Sequence, residues 1–269
     1  MRNLVVGVLS VFVASAASAD SGALPSAFNQ AARAVSAVQN WPLPQAPAQR
    51  TGYPVNPGGI PYPCANMPVV AIDAEGVITK NGRKLGDSAS DYQAACDGVV
   101  AWRNTSGEIF KDTQDLGQGG SYQIAYYSGV VVWTSETGEL YRDAQDLGAA
   151  QSHMMALYSG DVAWVDAYGN LYRNAVKLGQ GSDYQIADYT GDVAWRDSYG
   201  DIYRDGQKLG SSAQTGYQIA SRTGDVGWQD TFGALYKNAQ QVADDPMSWS
   251  MRDDGRLIWQ GQSGQTHSD

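Results

Sequence analysis

Tryptophan returns at a nearly fixed interval along most of this chain. Trp102, Trp133, Trp164, Trp195 and Trp228 lie 31, 31, 31 and 33 residues apart. Two further series keep step with it. One is Gly76, Gly107, Gly138, Gly169, Gly200 and Gly233; the other is Leu85, Leu116, Leu147, Leu178 and Leu209, with Val242 in the sixth place. Three registers in agreement mean one supersecondary unit copied along the chain, since such periods are the signature of solenoids, propellers and related arrays.

The unit parses into four short strands. In residues 184–210, Tyr184-Gln185-Ile186-Ala187 is the first and Val193-Ala194-Trp195-Arg196 the second, with Val193 and Trp195 on one face by alternation. Asp197-Ser198-Tyr199-Gly200 turns the chain, and glycine supplies the positive φ a tight hairpin needs. Ile202-Tyr203-Arg204 is the third strand, Asp205-Gly206 a two-residue turn like Asn81-Gly82 in the first copy, and Lys208-Leu209 opens the fourth strand. The copy around Gly76 has no clear opening strand. The copy around Gly255 is shortened and carries Leu257-Ile258-Trp259, leaving five full copies between. Ends that complete one another suit a closed ring, which removes sheet edges.

The pattern Val-Ala-Trp-x-Asp-x-x-Gly-x-Ile-Tyr, as in Val193 to Tyr203, resembles the central hairpin of a β-propeller blade. Over residues 68–261 the chain is similar to TolB-type and related lectin-like bacterial propeller repeats. The resemblance implies an all-β fold, a β-propeller of six or seven short four-stranded blades. Familiar blades run to about 40–45 residues. The shorter unit leaves a β-solenoid, with coils stacked about 4.8 Å apart, as the alternative. Stacking would align Asp161, Asp192 and Asp225 in one column, Asp166, Asp197 and Asp230 in a second, and Lys80, Lys111, Arg142, Arg173, Arg204 and Lys237 in a third. Like charges placed opposite one another are destabilising, so the propeller is preferred.

The chain opens with Met1-Arg2-Asn3, an apolar run from Leu4 to Val13, and Ala17-Ser18-Ala19 before Asp20. That is the plan of a secretory signal peptide cleaved after Ala19, with an apolar run too short to span a bilayer. Secretion or a periplasmic location is expected, with no membrane insertion. Residues 20–40 hold one helical pattern (Phe28, Ala31, Val35, Val38), and seven prolines between Pro42 and Pro63 mark 41–67 as an extended linker. Residues 262–269 read as a polar tail. The two cysteines, Cys64 and Cys96, flank the first copy, and export permits a disulfide between them; two buried thiols are the alternative. A net charge of -10 disfavours nucleic acid and anionic membranes as partners.

Catalytic signatures are missing: no Gly-x-Ser-x-Gly elbow and no His-Glu-x-x-His occurs. His153 falls in the slot that Tyr122 and Tyr184 fill in neighbouring copies and reads as a packing residue. The turn aspartates could supply a carboxylate pair for glycoside hydrolysis, but nearly every copy keeps them, so a hydrolase is the second alternative. Calcium at the Asp-x-x-Gly turns is possible but not favoured over carboxylates that bond their own turn; no cofactor is expected. The expected ligand positions are Tyr141 with Arg142, Tyr172 with Arg173 and Asn174, Tyr203 with Arg204, Tyr236, and the turn rings Tyr168, Tyr199 and Phe232. A ring beside a cation and an amide suits sugar hydroxyls, and repeated weak sites gain avidity. The expectation is a monomeric, non-enzymatic, multivalent glycan-binding protein; the alternative is a scaffold that binds an envelope or extracellular protein.

Overall fold

The computed structural model describes Cys64 and residues 67–269, with residues 214 and 215 by backbone alone. The expected signal peptide (1–19), the helical segment (20–40) and nearly all of the proline-rich linker lie outside the described residues.

Among the described residues every regular element is a strand. The first sheet holds β1 (Val70–Ile72), β2 (Ile78–Lys80) and β3 (Arg83–Gly86). Next come β4 (Ala89–Ala94), β5 (Val100–Asn104), β6 (Glu108–Lys111), β7 (Gln114–Ile124), β8 (Val131–Ser135), β9 (Glu139–Arg142) and β10 (Gln145–Ala149). The long β7 ends one copy and opens the next, fusing the second and third units into a seven-stranded sheet. The fourth unit is β11 (Ser152–Met155), β12 (Val162–Val165), β13 (Asn170–Arg173) and β14 (Val176–Gln180). The fifth is β15 (Asp183–Ile186), β16 (Val193–Arg196), β17 (Ile202–Arg204) and β18 (Gln207–Gly210). The sixth is β19 (Ala213–Ile219), β20 (Val226–Asp230), β21 (Leu235–Lys237) and β22 (Gln240–Ala243). The last has β23 (Ser248–Met251), β24 (Leu257–Gln260) and β25 (Thr266–Ser268). The last eight residues are therefore a turn, a strand and Asp269, not an unstructured tail.

Each unit is an antiparallel meander whose strands pair in sequence order. This overturns the solenoid alternative, in which strands of successive coils would pair with one another. No pairing joins the first sheet to the last among the described residues. The incomplete ends also have a definite meaning. The Asn81-Gly82 turn places β1, β2 and β3 as second, third and fourth strands. The Trp249↔Trp259 and Trp259↔His267 pairings place β23, β24 and β25 as first, second and third.

The core lies between successive sheets. Ala163, Val165 and Leu171 of the fourth unit pack with Val193 and Trp195 of the fifth; Ala194 and Ile202 of the fifth pack with Ala213, Tyr217, Val226 and Trp228 of the sixth. The repeat tryptophan spans the gap. Its ring meets a glycine on the fourth strand of the preceding unit, where a Cβ on Gly86 would lie 2.2 Å from Trp102 and one on Gly210 2.2 Å from Trp228. Its other side stacks on the residue paired with it on the third strand, as Trp164 does on Tyr172 at 4.2 Å.

A polar clamp repeats with the same period. Asn81, Asp112, Asp143, Asn174, Asp205 and Asn238 adopt φ between 46 and 51°, a region Asn and Asp tolerate better than most residues. Each side chain accepts the backbone N–H that opens the second strand of its unit, as Asn174 accepts Val162 N at 3.0 Å and Asn238 accepts Val226 N at 3.0 Å. In the second, third, fourth and sixth units the carbonyl of the same residue takes the tryptophan indole N–H, at 2.7 Å for Trp164 and 2.8 Å for Trp228. Asp269 repeats the clamp on Leu257 N at 2.7 Å.

Successive units also touch at the turn between first and second strands. Backbone N–H groups of one turn donate to carbonyls of the next, from Tyr158 to Asp188 at 3.1 Å and from Tyr189 to Ser221 at 2.9 Å. The Tyr127 ring leans on Tyr158 at 4.1 Å with planes 32° apart, Tyr158 stacks on Tyr189 at 4.2 Å, and Arg222 lies 5.6 Å above the Tyr189 ring. Cys96 holds the same place one copy earlier and is bonded to Cys64, with Cα atoms 4.9 Å apart. The disulfide is thus the first rung of the aromatic column, which accounts for its near-repeat spacing.

Equivalent positions of successive sheets come together along this column. Like-charge repulsion is avoided by interleaving. Arg173 lies 3.0 Å from Asp161 of its own unit and 3.6 and 3.3 Å from Asp192 and Asp205 of the next. Lys80–Asp112, Lys111–Asp143 and Lys237–Asp269 continue the same cross-sheet pattern. Replacing Arg173 by leucine is expected to cost on the order of 1.5–3 kcal/mol, the range for hydrogen bonds to charged groups. The Asp192 carboxyl is already raised above its ordinary pKa by burial and by Asp205 beside it. A folded-state pKa above the unfolded value favours the folded state on the acid side, so the deficit of this variant should shrink as pH falls through about 4. Urea denaturation at pH 7 and pH 4 measures it; an equal deficit at both would contradict the ladder.

Candidate functional site

The expected ligand positions divide into two groups. Tyr141, Tyr172, Tyr203 and Tyr236 lie on third strands and stack on Trp133, Trp164, Trp195 and Trp228 with centroids 4.1, 4.2, 5.1 and 4.3 Å apart. The last three hydroxyls donate to Asp166, Asp197 and Asp230 at 3.2, 3.3 and 3.3 Å. Burial pushes the phenol pKa of Tyr172, Tyr203 and Tyr236 up, and the neighbouring carboxylates add to it.

The cations beside these rings are also engaged. Arg142 Nε donates to Gly160 O at 2.9 Å, Arg204 donates to Gly224 O at 3.2 Å, and Arg173 donates to Asp161 and to Thr190 O. Asn174 Nδ2 donates to Asp161 at 2.8 Å. The Tyr–Arg pairs do not converge on one surface, because consecutive residues of a strand point to opposite faces. That rule was available from the sequence and separates Tyr172 from Arg173 without any structure.

Tyr168, Tyr199 and Phe232 form the second group. They occupy the same place in the hairpin turns of three successive units and are 85, 87 and 87% exposed. The turns that carry them are rigid. Asp166 Oδ1 accepts the N–H groups of Tyr168 and Asn170 at 2.8 and 2.9 Å, and Asp197 and Asp230 bind their own turns in the same way at 2.9 Å. Burial acts to raise the Asp166 pKa, but these bonds, with those from Asn170 Nδ2 and Tyr172, hold its carboxyl below the usual range. In other copies the ring position holds Glu75, Ser106, Thr137 and Ser263, so the aromatic row belongs to the fourth, fifth and sixth units alone. Among the described residues, no group of three or more His, Cys, Asp or Glu side chains is placed to hold a metal ion. His153 pairs in register with Trp164, as Tyr184 does with Trp195, and is solvent-exposed.

No protein-family model matches the chain, and no curated protein matches it in sequence. Among solved structures it is similar to the WD40 β-propeller domain of Doa1, with 10% identity over 77% of this chain and 90% of that one, at a TM-score of 0.27. A chain of the mitotic checkpoint complex is 10% identical over 75% and 80%, at 0.30; Hsv2p of Kluyveromyces lactis is 13% identical over 68% and 74%, at 0.32. Scores this low carry no argument about this chain; its own strand pairing and packing do.

Proposed function

We propose that this chain is an exported, non-enzymatic interaction protein, a β-propeller whose partner docks on the turns bearing Tyr168, Tyr199 and Phe232. The observation that carries this reading is the row of three rings, each almost fully in water, on equivalent rigid turns of three consecutive sheets. Such rings add little to the fold, whereas aromatic residues are concentrated in the buried centres of protein interfaces. The propeller rests on meander sheets in series. The first sheet supplies second, third and fourth strands and the last sheet first, second and third, which supports a reading of seven blades. Export rests on the Met1–Asp20 pattern.

A protein partner is favoured over a sugar site repeated in every copy. Sugar recognition needs hydrogen-bonding groups beside the ring, and the Arg, Asn and Asp side chains that would supply them are committed inside the fold. The triple variant Tyr168→Ser/Tyr199→Ser/Phe232→Ser tests the site. Its stability should stay within about 0.5 kcal/mol per substitution, because the rings are exposed. Affinity enrichment with wild type and variant side by side, followed by titration of each purified candidate partner, should show a loss of at least about tenfold in affinity. Retention of every partner by the triple variant would remove this surface from consideration.

A further inference from the structure

The seam between the sixth and seventh units departs from the repeat in four linked ways. The Trp195-to-Trp228 interval is two residues longer than the others, and the extra length enters β19 as an irregularity between Ala213 and Tyr217. The charged pair that bridges first and second strands in the second and fifth units, Arg103–Asp91 at 2.7 Å and Arg196–Asp183 at 2.9 Å, has Gln229 and Gly216 in its place here. Gln93 and Gln185 each use both ends of the side-chain amide to bind the backbone of the next unit. Gln218 keeps only one of these bonds, accepting Met251 N at 2.7 Å. Finally, Trp249 fills the slot of Tyr184 and Tyr217, against Gly227 where Ala163 and Ala194 stand in earlier copies; a Cβ on Gly227 would lie 3.2 Å from the Trp249 ring.

At this seam lies an open cleft of about 490 Å³ lined by Gly216, Gln218, Gln229, Met247, Ser248 and Trp249 among others. The hydrogen-bonding groups left over are neutral and of both kinds. Among the described residues Gln218 Nε2 has no protein acceptor, and Gln229 Oε1 remains an acceptor while its Nε2 donates to Gly233 O at 2.8 Å. Ser248 adds a hydroxyl, and Trp249 and Met247 add apolar surface. No Asp, Glu, Lys or Arg lines the cleft, in a chain of net charge -10.

We propose that this cleft binds a neutral saccharide, of mono- or disaccharide size, through Gln218, Gln229, Ser248 and the Trp249 ring. Uncharged amides and a hydroxyl beside an aromatic surface match the alternating hydroxyl and C–H surfaces of a sugar. With Gln229 where the second and fifth units have Arg103 and Arg196, no cation stands here to attract an anionic ligand. The site is separate from the aromatic turns and goes beyond the docking function assigned to them.

The test titrates neutral mono- and disaccharides, with sialylated and sulfated ones in parallel, into the full chain, followed by calorimetry and tryptophan fluorescence. Neutral sugars should bind and perturb the fluorescence. Gln229→Ala should weaken binding at least about tenfold. Gln229→Arg, which restores the residue of the second and fifth units, should abolish binding with the melting temperature unchanged. The triple turn variant should bind sugar as wild type does, so failure here and failure of the docking surface are told apart. Absence of any neutral-sugar binding, binding of anionic sugars alone, or full binding by Gln229→Arg would each overturn the proposal.

Discussion

Trp228→Ala is expected to destabilise the repeat domain by about 3–5 kcal/mol, the range for emptying a buried tryptophan site. Trp228 is 2% exposed and touches three neighbours that cannot follow it. Its ring stacks on Tyr236 at 4.3 Å with planes 9° apart, its indole N–H donates to Asn238 O at 2.8 Å, and its far edge rests on Gly210 of the fifth unit. The cavity would open between two sheets, whose rigid backbones close poorly on it. Because each unit is held mainly by its neighbours, the loss should appear first as separation of the fifth–sixth seam. Trp228→Phe keeps most of the contact but leaves the Asn238 carbonyl unpaired, at a cost of about 1–3 kcal/mol for that group alone. Urea denaturation followed by circular dichroism measures both, and a cost under about 1 kcal/mol for Trp228→Ala would show that the tryptophan does not hold the seam.

Gly210→Ala carries the second large effect, and its sign is the informative part. At an unstrained strand position, replacing glycine by alanine gains about 0.4–1 kcal/mol by reducing unfolded-chain entropy. Here the new methyl would lie 2.2 and 2.3 Å from two carbons of the Trp228 ring, and that ring is fixed on its other face by Tyr236. Overpacking of this kind costs about 1–3 kcal/mol. In the Trp228→Ala background the methyl enters the vacated space, so the same substitution should become neutral or stabilising. The double-mutant cycle reads the coupling directly. Additive effects would mean that the two residues do not share one packing site.

Much of this architecture was legible in the string of residues. The Trp, Gly and Leu registers located the first six units, and the Asn81-Gly82 and Asp205-Gly206 turns appear with the positive φ values that such hairpins require, 51 and 78°, 46 and 87°. The self-bonding of the Asp166, Asp197 and Asp230 turns also followed from local chemistry. A further glycine series, Gly86, Gly117, Gly148, Gly179 and Gly210, stood one residue after the leucines. It is the mark of the tryptophan contact, and it carries no local meaning until the neighbouring sheet is known.

The sequence by itself determined the unit, its strands and turns, and which copies carry an extra ring, because these follow from alternation, turn stereochemistry and periodicity within about 30 residues. Only the tertiary structure decided what lies opposite each unit. It showed that Tyr172 is covered by Trp164 while Tyr199 stands in water, and that Arg173 is consumed between carboxylates of two sheets. It also showed an open cleft at the seam where β19 carries its register irregularity. The reason is physical: a strand's pattern states which side chains share a face, but burial, pairing and open space depend on the face brought against it from another part of the chain.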